Sequence, residues 1–186
     1  MPNFNIFNSK NDPLNVFLIN TSGSPIFTLP VAELEHPTVV VPIEELATEN
    51  GLLFAGSTGA ISVPANGFLT LQLTNPAGAA RVLVFSRLSG GATVNTRISI
   101  LRNGTFTAAG TTITPRNTNF SSPDNSVWTA KFISQASDPT VGGVFVIEYS
   151  GRIRINPNTT MLVRMANNTN KTNLLSLNFS YWQESI

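Results

Sequence analysis

Residues 68–74 read FLTLQLT, and residues 81–88 read RVLVFSRL. In the first stretch Leu69, Leu71 and Leu73 alternate with Thr70, Gln72 and Thr74. A two-residue period is that of a half-buried strand, so the leucines are expected to face inward. The second stretch is more continuously apolar and fits a central strand covered on both faces. Thr96–Arg102 (TRISILR) alternates again and runs into Asn103-Gly104. Both residues of that pair tolerate φ > 0, which a type I′ turn demands. The pattern therefore predicts a hairpin with a return strand over Thr105–Ala109.

The chain downstream repeats this grammar. In Ser126–Gln135 (SVWTAKFISQ), Val127, Thr129, Lys131 and Ile133 fall on one face, and Trp128, Ala130 and Phe132 on the other. Val144–Tyr149, Arg152–Ile155 and Thr160–Ala166 follow, punctuated by Gly142-Gly143, Ser150-Gly151 and Pro157-Asn158. The last run sets Leu175, Leu177, Phe179 and Tyr181 against Leu174, Ser176, Asn178, Ser180 and Trp182. About eight strand-like runs from Phe54 onward, spaced by turn residues, predict a sandwich or barrel. Eight is the usual strand number of a jelly roll.

The first third differs. Residues 1–15 are polar and rich in Asn, and an apolar run, Val16, Phe17, Leu18 and Ile19, follows. Pro42–Asn50 (PIEELATEN) has the marks of a short helix: a proline at its start, Glu44 and Glu45 in its first turn, and Gly51 to stop it. The predicted fold class is all-β, a jelly-roll-like antiparallel β-sandwich with an N-terminal arm and at most one short helix. Three segments are expected: an arm over 1–20, a connecting segment over 21–52 and the sandwich over 53–186.

Composition narrows function by exclusion. The chain of 186 residues has no cysteine, which removes disulfides, thiol chemistry and thiolate metal sites. Charged residues make up 11%, against a typical value of about 25%. A net charge of +1 gives no reason to expect nucleic acid as a partner. No apolar stretch approaches the ~18 residues needed to span a bilayer, so no membrane insertion is expected. A surface of neutral Asn, Thr and Ser repels copies of itself weakly, which favours self-association. The first residues, MPNFNIFNSK, lack a basic and an apolar leader region. The expectation is a product made in the cytosol without a signal peptide.

No catalytic set assembles from these residues. His36, the one histidine, stands before a proline without an evident partner. No serine sits in a Gly-x-Ser-x-Gly elbow, and neither glycine pair resembles a phosphate loop. Asp124 and Asp138 lie in turn-forming stretches and are read as turn caps. Glu33, Glu35, Glu44, Glu45 and Glu49 read as a solvated face. A Lys–Asn amide cross-link would need an acid such as Glu148 beside Lys131; a lysine on the solvent face of an edge strand is the plainer account. Trp128, Tyr149, Tyr181 and Trp182 are candidates for a sugar platform, although Trp128 has the area of a core residue. No catalytic residue, no metal site and no cofactor are expected, and the chain reads as a non-enzyme.

The arm suggests a mechanism. A tether of ~12 residues reaches up to ~40 Å. An apolar strand at its end, Val16 to Ile19, can join a neighbour's open sheet edge. Passed head to tail, such an arm builds a filament, or a ring if the rotation closes. The run can equally be the first strand of its own sandwich.

The segments STGAISVPANGFLTLQLTNPAGAARVLVFSRLSGGATVNTRISILRNGT, TPRNTNFSSPDNSVWTAK, DPTVGG, GRIRINPNTTMLVRMANNTNKTN and SYWQES resemble an uncharacterised family of small all-β proteins of spore-forming Firmicutes. Val-Pro-Ala-Asn, Leu-Thr-Asn-Pro and Arg-Asn-Gly-Thr carry the likeness, with Ser150-Gly151-Arg152-Ile153 in place of Asn-Gly-Arg-Ile. These are turn and strand-edge motifs; they imply a fold and no chemistry. More loosely, a jelly roll with an arm is similar to the subunits of endospore appendage fibres. Those carry arm cysteines, which this chain lacks. The resemblance implies a self-assembling subunit of a surface fibre or layer, ending on an external surface, with copies of itself as partners and an anchoring or tip protein at an end. The alternative is a trimeric binding or tip domain resembling the C1q or tumour-necrosis-factor shape.

Overall fold

The computed structural model describes Val16–Ile19, Pro25–Leu29, residues 42–146 and residues 152–186. The chain divides into two compact units, Met1–Val41 and Pro42–Ile186. In the first, strands β1 (Val16–Ile19) and β2 (Pro25–Leu29) pair antiparallel, with Val16 opposite Leu29 and Leu18 opposite Phe27.

The second unit starts with helix α1 (Ile43–Glu49) and is otherwise β. Its strands are β3 (Leu53–Ser57), β4 (Ile61–Val63), β5 (Phe68–Asn75), β6 (Arg81–Ala92), β7 (Thr96–Arg102), β8 (Thr111–Ile113), β9 (Arg116–Asn117), β10 (Thr129–Gln135), β11 (Val144–Phe145), β12 (Ile153–Ile155), β13 (Thr159–Asn167) and β14 (Asn173–Ser185). One sheet runs β12-β6-β14-β3-β9, with β4 also on β14; the other runs β11-β7-β13-β5-β10-β8. Set aside β4 and the inserted β8, β9 and β10, and eight strands remain. Numbered in chain order, they stand 1-8-3-6 in one sheet and 2-7-4-5 in the other. That is the interleaving of a jelly roll, two Greek keys folded into facing sheets. All pairings are antiparallel, and the predicted all-β sandwich with one short helix is the fold found.

Alternation sets the core. Leu69, Leu71, Leu73, Leu175, Leu177, Phe179 and Tyr181 face inward and are buried. In β6 the inward set is Leu83 and Phe85, and then Leu88. The switch of parity comes from a bulge: Ser180 pairs with Arg87 but Tyr181 with Phe85, so Ser86 is the extra residue. Val84 and Trp182 point to the other face, where Ala47 of α1 covers them. β6 is thus covered on both sides, as its continuous apolar run predicted. The proline before α1 is its cap residue, and Gly51 stops the helix with φ 64°.

Two expectations are corrected. The hairpin after Arg102 does not form; β7 pairs with β13 and β11 instead. Asn103 does take a positive φ of 58°, but Gly104 does not, so a type I′ turn is ruled out. The chain crosses the outer face of its own sheet, where Phe106 packs on Leu101 and Leu162. Those two residues would otherwise put apolar surface in water. For the same reason β5 is not half-buried. Thr70 is fully buried and Gln72 nearly so, and Gln72 Oε1 accepts the Phe106 N–H at 3.0 Å.

Buried asparagines close the ends of the sandwich. Asn75, on β5, donates to the carbonyls of Arg81 at 3.0 Å and Ile155 at 2.9 Å, both in the opposite sheet. At the other end Asn167 Nδ2 faces the carbonyls of Val63, Pro64 and Lys171. Part of the Asn content read as surface polarity therefore tethers strand ends, where backbone carbonyls must be satisfied.

Candidate assembly surfaces

The four arm residues Val16, Phe17, Leu18 and Ile19 form a strand, and its backbone partner is Pro25–Leu29 of the same chain. One side of that strand is occupied by this pairing. A strand has two hydrogen-bonding edges, so a two-stranded ribbon offers a further one on each strand.

The aromatic candidates do not make a platform. Trp128, Tyr181 and Trp182 are each no more than 3% exposed. Trp128 meets Tyr181 edge-on at 4.2 Å between ring centres, with Phe85 and Phe179 around it. Trp182 belongs to the patch under α1, with Arg152 over its ring at 4.5 Å. Strand alternation sent Tyr181 and Trp182 to opposite faces as expected, but both faces are covered. Tyr149, Glu148, His36, Glu33 and Glu35 lie outside the described residues.

Lys131 serves the fold. Its Nζ donates to the carbonyls of Phe106 and Ala108, each at 3.2 Å, and sits 4.4 Å from the Phe106 ring centre. It fastens the crossing segment to β10. The two aspartates act in separate turns. Asp124 accepts the Asn117 N–H at 2.7 Å and pairs with Arg116 at 2.6 Å. The guanidinium first, and then the N–H, hold its carboxyl below the usual range. Asp138 accepts the Thr140 N–H at 3.0 Å and pairs with Arg164. Among the described residues no three His, Asp or Glu side chains gather as a metal site would need.

The Tyr181 hydroxyl is hydrogen-bonded to Ser126, and burial pushes its ionisation well above the ordinary value near 10. Below pH ~10 the phenol is protonated in folded and unfolded chains alike. Above that the unfolded chain loses the proton first, so stability falls as pH rises, by up to ~1.4 kcal/mol per unit. Denaturant unfolding at pH 9 and pH 11 tests this. Tyr181→Phe is expected to lose less stability between the two pH values than the native chain; equal losses would show that Tyr181 does not titrate as described.

Three outward features remain. First, the sheet edges are unevenly covered. β12 pairs with only Leu83–Phe85 of β6, so the run 87–92 has β14 on one side and no strand on the other among the described residues. Second, a cleft of about 320 Å³ opens between the sheets beside β12. Ile100, Val146, Ile153, Ile155 and Met161 make it apolar, and Arg102 stands in its lining. Third, Phe120 is 98% exposed at the tip of the loop after β9.

That loop is pinned at its base. Asn117 Nδ2 donates to Gly51 O and Pro123 O, and Asn119 Nδ2 donates to Glu49 O. Asn119 also accepts the Ser121 N–H, and its carbonyl the Ser122 N–H. The sequence reading missed Phe120. Its signal was present: an aromatic set inside NTNFSSPDN, a run of turn-capping residues with no strand pattern to bury it. Comparison of the chain with family models, with curated proteins and with solved structures gives no match.

Proposed function

We propose that this chain is a non-enzymatic, self-assembling structural subunit of a surface fibre or layer, of the kind spores carry, joined by addition of the N-terminal strand to a neighbour. The observation that carries this is the edge of β6 over residues 87–92, which no strand among the described residues covers. Such an edge offers backbone donors and acceptors that pair with no described strand, a template for another strand. The run reads RLSGGA, and its two glycines leave little side-chain bulk to obstruct a second strand. Val16–Ile19 is four residues long and already extended, so it fits within the run on offer. Charge is low enough that copies do not repel strongly.

Deletion of residues 1–20 tests the reading. The full chain is expected to form polymers visible by negative-stain electron microscopy, and the truncated chain to remain monomeric at the same concentration. Unchanged polymers from the truncated chain would overturn strand addition by the arm. Closed trimers from the full chain would favour the binding-head alternative.

A further inference from the structure

We infer that Phe120 is a knob that seats in the apolar cleft beside β12 of a second copy, with Glu49 of one copy facing Arg102 of the other. The inference deepens the assembly reading and rests on it. A side chain left 98% in water on a hydrogen-bonded loop keeps its apolar surface exposed and loses little further freedom on docking. Aromatic anchors presented in this way dominate binding energy where they find a pocket. The cleft, at about 320 Å³, is ample for a phenyl ring; about 150 Å³ suffices to hold benzene, and Ile100, Val146, Ile153, Ile155 and Met161 supply apolar wall among polar neighbours.

Charge and placement both favour a second copy as the occupant. Glu49 adjoins the knob through the Asn119 bond to its carbonyl, and it makes no ion pair among the described residues. Arg102 lines the cleft and likewise makes none. An acidic residue beside the knob thus faces a basic residue beside the pocket, each without an ion-pair partner among the described residues.

The two surfaces are level with one another on opposite flanks. One row of register partners runs Arg154, Val84, Trp182, Leu53, and Leu53 O accepts the Thr118 N–H at the base of the knob loop. From Arg154 across to Thr118 the four strand steps span roughly 19 Å at about 4.8 Å per step. A knob on one flank and a socket on the other cannot both be satisfied within one pair of copies related by a heterologous contact. Each added copy leaves one of each open, so the contact propagates as a row or closes as a ring. The run 87–92, which no described strand covers, lies on the cleft's flank, further along β6, so knob and donor strand approach the same side of a neighbour without competing.

Sedimentation velocity over a concentration series of the full-length chain tests the inference. Phe120→Asp and Asn156→Trp, the latter closing the mouth of the cleft from an exposed position, are each expected to raise the assembly concentration at least tenfold. Glu49→Arg and Arg102→Glu are expected to raise it singly and, combined in one chain, to return it to within about twofold of the native value. All four positions are exposed, and unchanged thermal unfolding confirms that each variant is folded. Assembly of Phe120→Asp at the native concentration, or no recovery in the charge-swapped chain, overturns the knob-and-cleft contact and leaves strand addition standing. A native chain that stays monomeric at every concentration overturns the assembly reading and the contact together.

Discussion

Replacing Trp128 with alanine is expected to destabilise the sandwich by about 3–5 kcal/mol, the cost of emptying a large aromatic site in a packed core. Trp128 comes from the insertion between β7 and β11, just ahead of β10, and plugs the space between the sheets. Its ring stands nearly perpendicular to those of Phe85 and Tyr181, and Phe179 meets it at 69°. Such edge contacts add about 0.5–1.5 kcal/mol each to the burial itself. In a chain of this length the loss corresponds to roughly 6–20 °C in melting temperature. Trp128→Phe separates packing from polarity. The indole N–H is buried without a partner among the described residues, so phenylalanine removes an unsatisfied donor while keeping most of the ring contact. It is expected to cost less than half as much as alanine. Urea unfolding of the three proteins measures both effects. A loss under about 1 kcal/mol for Trp128→Ala would mean that the insertion is not integral to the core.

How much of this was legible follows from what each signal depends on. Alternation at Leu69, Leu71 and Leu73, or at Leu175, Leu177, Phe179 and Tyr181, needs only a strand and one core, and it placed those residues correctly. It says nothing about whether the second face is also covered. Thr70 and Gln72 look like a wet face, yet both are buried, and the segment around Phe106 lies over Gln72. The hairpin at Asn103-Gly104 failed for the same reason. Turn chemistry is local, whereas the need to cover Leu101 and Leu162 arises from strands about 60 residues apart in sequence. The positive φ at Asn103 was read correctly; where the chain goes afterwards was decided by tertiary packing. Trp128, favoured as a core residue for its area over a sugar platform, does lie in the core. For assembly, the apolar arm was visible as sequence. The cleft was not, since its lining comes from β7, β12 and β13, which only the jelly-roll crossing brings together.

Buried polar groups were the least legible part, and they yield the second large effect. Asn167→Asp is expected to cost on the order of 4 kcal/mol at pH 7, comparable to leaving an uncompensated buried charge. Asn167 is 1% exposed, and its amide nitrogen faces three carbonyl oxygens at 2.8–3.3 Å. Its Oδ1 accepts from Thr169 and Asn173, so the side chain joins the end of β13 to the start of β14 and to the turn after β4. A carboxylate there has the right shape and the wrong polarity, with acceptors facing acceptors. Burial and the carbonyl dipoles both disfavour the ionised form, so the new acid would titrate above its unfolded value of about 3.9. As pH rises past that value the unfolded variant gives up its proton first, and folding stability falls until the folded acid ionises too. The variant's deficit relative to the native chain is therefore expected to be smaller at pH 4, where a protonated acid still donates one hydrogen bond, than at pH 7. Asn167→Ala, which loses the donor without adding a charge, should show a deficit of about 1–3 kcal/mol that does not change between the two. Guanidinium unfolding at both pH values measures all of this. An equal deficit for Asn167→Asp at pH 4 and pH 7 would mean that the carboxylate escapes to water, and that the end of the sandwich is held by something other than this amide.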